Sequence, residues 1–243
     1  MGDGIYLAGA AMLSQQIRQE AMVHNLANAS TPGYKAARLF AKALEDVEGS
    51  VEAMRDAERG QEVYIDFSQG SVQRTGRELD FALDGDGFFV VDTPEGERFA
   101  RDGSFSLDID GRLVNHAGFP VLTDMGPVVL DDESSPGPVN VNEDGEIFMG
   151  DRLMGKLMIR HFVSLEDLQR TAPGLFGPGP GRHLQESEPS AKVRQGCLEE
   201  SNALAMDEMI RMISEFKKYE ASHKMVQMQD GALRQAINDL ISR

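Results

Sequence analysis

The sequence predicts an α+β protein whose N- and C-terminal helices pair as a coiled coil, with an extended connector and a central antiparallel β-domain between them. Residues 4–28 and roughly 198–241 carry apolar residues at helical spacing. The intervening stretch is punctuated by Gly, Asp and Pro, and its apolar residues alternate as they do in strands. The predicted division is an N-terminal assembly helix and turn over 1–34, a connector over 35–78, a β-rich domain over 79–190 and a C-terminal assembly helix over 191–243.

Composition excludes several classes of function. The 243 residues include 24 Lys and Arg against 40 Asp and Glu, a formal net charge of −16. So acidic a chain is not expected to bind nucleic acid or an anionic membrane surface, because both attract positive charge. The one cysteine, Cys197, cannot form an intramolecular disulfide. No apolar run is long enough for a membrane span.

The first helix is predicted from one apolar face, which carries Ile5, Met12, Val23 and Leu26. It is expected to end near Asn28, because the sequence then continues with a Pro32-Gly33 pair suited to a type II turn. The first residues lack a basic region and become polar after about a dozen positions, so no cleavable signal peptide is expected.

The β-domain is predicted from alternation and from turn signals. Residues 79–84 alternate apolar and polar side chains, which predicts a half-buried strand. Gly-containing turns at 93–96, 110–111 and 143–146 separate strand-like runs, so antiparallel hairpins are expected across about 79–163. The sequence GLFGPGPG at 174–181 is predicted to be loop.

The C-terminal segment shows the clearest periodicity, with apolar residues spaced alternately by three and four as in a heptad seam. The seam runs through Met209, Met212, Phe216, Tyr219, His223, Val226, Asp230, Leu233, Ile237 and Leu240. The polar members His223 and Asp230 are expected to set the register of the pairing. Since ordering so long a helix costs more free energy than burying its seam returns, the terminal helices are expected to need partners.

No catalytic, cofactor-binding or metal-binding motif is found, so we expect a protein that is not an enzyme. The five histidines lack zincin-like spacing. The segment that starts at Asp108 lacks the glycine and the final acidic residue of a calcium loop, and turn formation explains it better. Gly85 and Gly87 are not followed by the Lys-Ser/Thr pair of a phosphate-binding loop.

Several motifs together resemble those of the bacterial flagellar rod and hook family. The N-terminal motif comprises Asn25, Leu26, Ala27, Asn28, Thr31, Gly33, Tyr34 and Lys35. Two central motifs are similar to 84–89 (DGDGFF) and 99–105 (FARDGSF), and the C-terminal signature is similar to 198–202 (LEESN) and 209–213 (MIRMI). These matches keep the family's order over nearly the whole chain.

The resemblance implies a non-enzymatic structural subunit, most like a proximal rod protein, that is exported by the flagellar type III apparatus and stacks helically with itself and other axial proteins in the periplasm. Two alternatives remain open: a distal rod protein, and an acidic β-domain that binds a partner and dimerises through its helices. The expected assembly residues are Ile5, Met12, Val23, Leu26, Met209, Met212, Ile213, Phe216, Tyr219, Val226, Leu233, Ile237 and Leu240.

Overall fold

The protein is seen in a computed structural model that describes residues 2–41, 61–130, 137–187 and 191–241. Two helices are present in these residues, α1 (Gly2–Ala27) and α2 (Ala205–Ile241). The strands are β1 (Ala37–Ala41), β2 (Gln61–Ile65), β3 (Val72–Arg74), β4 (Phe81–Asp84), β5 (Phe88–Thr93), β6 (Gly96–Ala100), β7 (Ser106–Leu107), β8 (Leu113–Val114), β9 (Leu122–Thr123), β10 (Gly126–Pro127), β11 (Val139–Val141), β12 (Glu146–Met149), β13 (Arg152–Lys156), β14 (Ile159–Phe162), β15 (Leu168–Ala172), β16 (Leu175–Pro178), β17 (Glu186–Ser187), β18 (Lys192–Gln195) and β19 (Cys197–Glu199).

The chain divides into two compact units. The helical unit comprises residues 1–27, 37–64 and 203–243, and the β unit comprises residues 28–36 and 65–202. The predicted α+β class is therefore confirmed, with helices at both ends and a largely antiparallel β-domain between them. Across the described residues, neither helix has a stretch long and apolar enough to cross a membrane.

In the helical unit, α1 lies against α2, and β1 pairs with β2. The end of α1 at Ala27 confirms the predicted helix stop near Asn28. The main-chain amide of Tyr34 then donates to the carbonyl oxygen of Thr31, and Gly33 has a φ of 65°. A positive φ at the third position is what a type II turn requires, so this prediction is confirmed as well.

The β unit is built around an antiparallel six-stranded sheet with the order β15-β16-β6-β5-β14-β17. Two apolar clusters fill its interior. The larger includes Phe81, Phe89 and Phe105, and the smaller includes Phe88 and Phe176. Since adjacent residues of β5 enter different clusters, that strand is buried on both faces.

The three predicted hairpins are present. Strands β5 and β6 pair across the turn at Gly96, β7 and β8 pair across Gly111, and β11 and β12 pair across Gly145. All three glycines have positive φ, which L side chains rarely adopt. The Asp108 carboxylate accepts hydrogen bonds from the amides of Asp110 and Arg112, which confirms that this segment is a turn.

Two local expectations were wrong. The segment 174–181 is not all loop, because Leu175–Pro178 forms β16 and pairs with both β15 and β6. The segment 79–84 is not half-buried, because Asp80 and Ala82 are as fully buried as Phe81. Neighbouring segments cover both faces there, and the Asp80 carboxylate accepts a hydrogen bond from the Thr75 hydroxyl at 2.6 Å.

Candidate functional site

Two of the four predicted assembly residues of α1 have described side chains, and both lie in the C-terminal half of the helix. Val23 is exposed and Leu26 is half-buried. Ile5 and Met12 lie on the helix, but their side chains are outside the part of the chain that the structure describes. The α1 residues that face α2 include polar ones, since the Gln15 side-chain amide donates to the Glu215 carbonyl oxygen at 2.8 Å.

A groove of about 260 Å³ lies between α1 and α2. Three predicted residues, Met212, Phe216 and Tyr219, line it from α2. The other lining residues are Gln15, Gln19, Met22 and Glu215. The structure therefore brings these three seam residues next to the first helix.

Much of the apolar surface of α2 remains uncovered. Phe216 and Ile213 are each 57 % exposed, although Phe216 lies at the groove. Met209 and Tyr219 are exposed to a similar extent. The remaining predicted residues lie on α2, with side chains outside the described part of the chain: Val226, Leu233, Ile237 and Leu240.

The motif residue Asn25 ties the end of α1 to the strand that follows. Its side-chain amide donates to the carbonyl oxygen of Ala37 and its side-chain carbonyl accepts from the amide of the same residue, both at 2.8 Å. One residue further on, Arg38 forms an ion pair at 2.9 Å with the buried carboxylate of Glu208 on α2. Strand β1 is thereby bonded to both helices of its unit.

The motif residues from Asn28 onward lie in the β unit, whereas Leu26 and Ala27 belong to α1. Ala27 and Thr31 are exposed, Asn28 is half-buried, and Gly33, Tyr34 and Lys35 are buried. A Cβ atom at Gly33 would lie 2.3 Å from the main-chain nitrogen of Asp102. This position therefore requires glycine both for its positive φ and for this close approach.

Next to that turn lies a buried cluster of three charged residues. The Lys35 ammonium is 2.6 Å from Oε1 of Glu199, and Nε of Arg101 is 2.5 Å from Oε2 of the same carboxylate. Oε1 also accepts a hydrogen bond from the Gly70 amide, and the ammonium donates to the Ser68 carbonyl oxygen at 2.7 Å. One carboxylate thus joins two cations that are 66 residues apart in the sequence.

Arg101 also organises the loop that carries the DGDG motif. Its guanidinium donates to the carbonyl oxygens of Leu83, Gly85 and Gly87. Arginine has five N–H groups in a planar fork, which suits one side chain to a carboxylate and several carbonyls at once. The carbonyl oxygens of this loop therefore bind the Arg101 guanidinium, whereas a phosphate-binding loop, which its glycines resemble, binds an anion through main-chain amides.

Burial sets the electrostatics of this cluster. Removal from water lowers the pKa of Lys35 below its ordinary value, and the adjacent Glu199 partly offsets this effect. Nearby, the Arg170 guanidinium lies 4.6 Å from the centre of the Tyr34 ring and donates to the Lys35 carbonyl oxygen at 2.6 Å. A buried, fully partnered ion network of this kind specifies which chain segments meet.

Arg101, Glu199 and Asn202 were not predicted as site residues, although all three lie in the family-like motifs of the sequence. The only available signal was that they belong to motifs that resemble those of the family. The pairing of Arg101 with Glu199 could not be predicted from the sequence, because these residues are 98 positions apart, and Lys35 and Glu199 are 164 apart. Among the residues that the structure describes, no group of three or more His, Cys, Asp or Glu side chains could hold a metal ion.

Comparison with known proteins identifies the family. Three family models match: the flagella basal body rod protein model at residues 5–35, the flagellar hook protein FlgE/F/G D1 domain at 82–149, and the flagellar basal body rod FlgEFG protein C-terminal model at 194–240. The flagellar basal-body rod protein FlgF of Mesorhizobium japonicum is 30 % identical over 100 % of both chains. The chain belongs to the flagellar basal-body rod protein family.

Other members of this rod family are similar over comparable lengths. FlgF of Escherichia coli is 31 % identical over 100 % of this chain and 99 % of its own. FlgG of Borreliella burgdorferi is 27 % identical over 98 % of each chain. As a rod family member, the chain is a structural subunit of the flagellar basal body, and it is FlgF-like.

The buried cluster of this rod protein takes one charged residue from each matched region. Lys35 ends the N-terminal match, Arg101 lies in the D1 match, and Glu199 lies in the C-terminal match. In this chain, the three separately matched regions therefore converge on a single carboxylate.

Proposed function

We propose that this rod subunit assembles through its terminal helices in the proximal part of the rod and transmits torque through them. The observation that carries the proposal is the exposed apolar surface of α2. Met206, Met209, Ile210 and Ile213 are all exposed and lie on one side of the helix, although α1 already lies against α2. Burial of such side chains contributes about 1.5–3 kcal/mol each, so association with a neighbouring subunit is favoured.

The proposed mode of assembly rests on the two terminal helices. The seam from Met209 to Leu240 pairs with the apolar face of α1 as a coiled coil, within a subunit and between neighbours. Contacts that do not close on themselves build a helical filament instead of a ring. In this proposal, α1 and α2 form the assembly helices, and the β unit sets the diameter and the lateral contacts.

The proximal position is supported by the degree of similarity. FlgF relatives are 29–31 % identical, whereas FlgG relatives are 26–27 % identical. We further propose that the subunit is exported by the flagellar type III apparatus, works in the periplasm with other axial proteins, and has no catalytic activity. The acidic surface of the chain, with a net charge of −16, does not favour nucleic acid as a partner.

Substitutions on α2 test the assembly proposal. Phe216→Asp and Ile213→Asp place a charge on the exposed apolar surface, so both are expected to abolish motility and incorporation into the rod. Ser214→Asp adds the same charge at another exposed position on the same helix and is the matched control. Circular dichroism and amide hydrogen exchange check that the β unit stays folded.

The results separate the alternatives. Loss of incorporation in Phe216→Asp and Ile213→Asp, with normal incorporation of Ser214→Asp, supports assembly through this surface. Normal swimming of both apolar-site variants contradicts it. A discrete soluble dimer of the purified chain in analytical ultracentrifugation, with no longer assemblies at high concentration, would favour the dimeric partner-binding alternative.

A further inference from the structure

Three of the four points at which the chain enters or leaves the β unit lie at or next to the Asn202 side chain. Because the unit comprises residues 28–36 and 65–202, the chain enters or leaves it at Asn28, Ala36, Ile65 and Asn202. The Asn202 side-chain carbonyl accepts from the Ala36 amide at 2.7 Å, and its side-chain amide donates to the Asp66 carbonyl oxygen, also at 2.7 Å. Asn202 itself is the third of these points.

Further hydrogen bonds surround this side chain. The Asn202 amide group also donates to the Ser68 carbonyl oxygen at 3.0 Å, which the Lys35 ammonium reaches at 2.7 Å. The Asp66 main-chain amide donates to the Ala36 carbonyl oxygen at 2.8 Å. The junction of these three points is thereby continuous with the buried charge cluster.

The two segments beside Asn202 run in the same direction. The Gly33 amide donates to the Glu199 carbonyl oxygen at 2.7 Å, and the Asn202 amide donates to the Tyr34 carbonyl oxygen at 3.3 Å. Force that pulls residues 28 and 202 apart therefore slides segment 33–36 along segment 199–202. In such a shear geometry the bonds between the segments are loaded together, whereas bonds that are peeled open break one after another.

We propose that Asn202, with segments 33–36 and 199–202, is a mechanical clamp that holds the β unit closed when force acts through the two terminal helices. The inference rests on the proposed role of the helices in transmitting torque. Two members of the buried charge cluster, Lys35 and Glu199, lie in these segments, and Lys35 shares the Ser68 contact of Asn202. Such an element suits a subunit that carries torque, because α1 ends six residues before Gly33 and α2 begins three residues after Asn202.

Pulling single molecules of the full-length chain tests the clamp. Handles at the two termini load it, whereas handles at positions 95 and 151, in two exposed turns of the β unit, pull elsewhere. Asn202→Ala and the near-isosteric Asn202→Asp each remove hydrogen bonds to Asp66 and Ser68. Asn140→Ala, at an exposed asparagine of β11, is the control.

With handles at the termini, both Asn202 variants are expected to unfold on the order of tenfold or more faster than the native chain at the same force. With handles at 95 and 151, the clamp is still closed when the unit yields, so the unfolding rate is expected to stay within about threefold. Equal acceleration in the two geometries would reduce Asn202 to a general stability role. No acceleration with terminal handles would also overturn the proposal.

A measurement in cells separates this inference from the proposed function. Cells with Asn202→Asp are expected to incorporate the subunit but to lose swimming speed more steeply than wild-type cells as the viscosity of the medium rises. Loss of incorporation in the assembly variant Phe216→Asp bears on the proposed function only and leaves the pulling result unaffected. A wild-type chain that never enters the rod would refute the proposed function, whatever the pulling experiment shows.

Discussion

Two Lys–Glu pairs in the β unit have the same separation and opposite electrostatics. The Lys35–Glu199 pair and the Lys192–Glu143 pair both have an N–O distance of 2.6 Å. The side chains of the first pair are 1 % exposed, and those of the second are 65 % and 70 % exposed. Burial lowers the pKa of Lys35, whereas the hydrogen bond that Lys192 donates to the Glu143 carboxylate raises the pKa of Lys192.

The difference shows that the N–O distance of an ion pair does not by itself determine the direction in which the pKa of its lysine shifts. In the exposed pair, water solvates each charge, and the hydrogen bond and attraction between the partners are the main causes of the shifts, so that Lys192 also lowers the pKa of Glu143. In the buried pair, loss of hydration outweighs the attraction of Glu199 for Lys35. A buried pair adds little net stability but makes the absence of either partner costly, which suits it to specifying contacts between distant segments.

The largest expected effect comes from replacing the carboxylate of the buried pair. Glu199→Gln leaves the Lys35 and Arg101 charges buried without a carboxylate, so a loss of about 3–5 kcal/mol in the free energy of unfolding is expected. Glu143→Gln, the same change in the exposed pair, is expected to have a small effect. Urea unfolding of the full chain measures both, and equal losses would contradict the comparison.

A smaller loss is expected from Arg101→Lys, which keeps the charge but removes the planar fork. The bonds to the carbonyls of Leu83, Gly85 and Gly87 cannot all be replaced by an ammonium, so a loss of about 2–3 kcal/mol is expected. Arg194 pairs with Asp84 at an exposed site, and Arg194→Lys is the matched control. Similar urea midpoints for the two variants would show that the carbonyl contacts of Arg101 contribute little.

The pKa values themselves provide a third test. Lys35 is expected to lose its proton at a lower pH than an ordinary lysine, and Lys192 at a higher pH, as followed by NMR of the side-chain nitrogens. Between the lowered pKa and 10.5, the unfolded chain binds more protons at Lys35 than the native chain, so this residue makes stability rise with pH. At Lys192 the sign is reversed. A Lys35 titration at or above its ordinary pKa would refute the burial argument.

The smallest effect is expected at Asp102, a carboxyl whose pKa burial raises despite a hydrogen bond from the Ser104 amide. Asp102→Asn removes the desolvated charge and keeps an acceptor for that amide, so a small gain in stability at neutral pH is expected. The gain should shrink as the pH falls through the raised pKa and vanish below the ordinary value, because both forms are then neutral. Urea unfolding at several pH values measures it, and a gain that grows on acidification would contradict the assignment.

Local features of this protein were predictable because their causes are local. The turns at Gly33, Gly96, Gly111 and Gly145 need a positive φ, and glycine is the residue type that indicates it. The end of α1 and the hairpins follow from the same rules. The apolar periodicity of the C-terminal segment likewise predicted a helix, since a helix repeats every few residues, but α2 begins at Ala205 and not near 198 because β19 occupies Cys197–Glu199.

Features that depend on neighbouring segments were missed. The glycines and prolines of 174–181 indicate loop, yet Leu175 and Phe176 are buried and pair between two strands, so burial overrides their local preference. Asp80 is buried although alternation assigned it to a solvent-facing side. The β-rich part also gains strands from beyond 163, including β18, which pairs with β4.

The sequence by itself determined the α+β class, the helical ends, the hairpin turns and the rod family, because short-range periodicity, glycine geometry and ordered motifs suffice for each. Only the tertiary structure decided that Lys35, Arg101 and Glu199 form one buried cluster and that three of the points at which the chain enters or leaves the β unit lie at or next to Asn202. Both arrangements join residues that are far apart in the chain. Whether a charged residue is solvated or buried depends on those distant neighbours. Burial is the reason that the pKa of Lys35 is lowered whereas the pKa of Lys192 is raised.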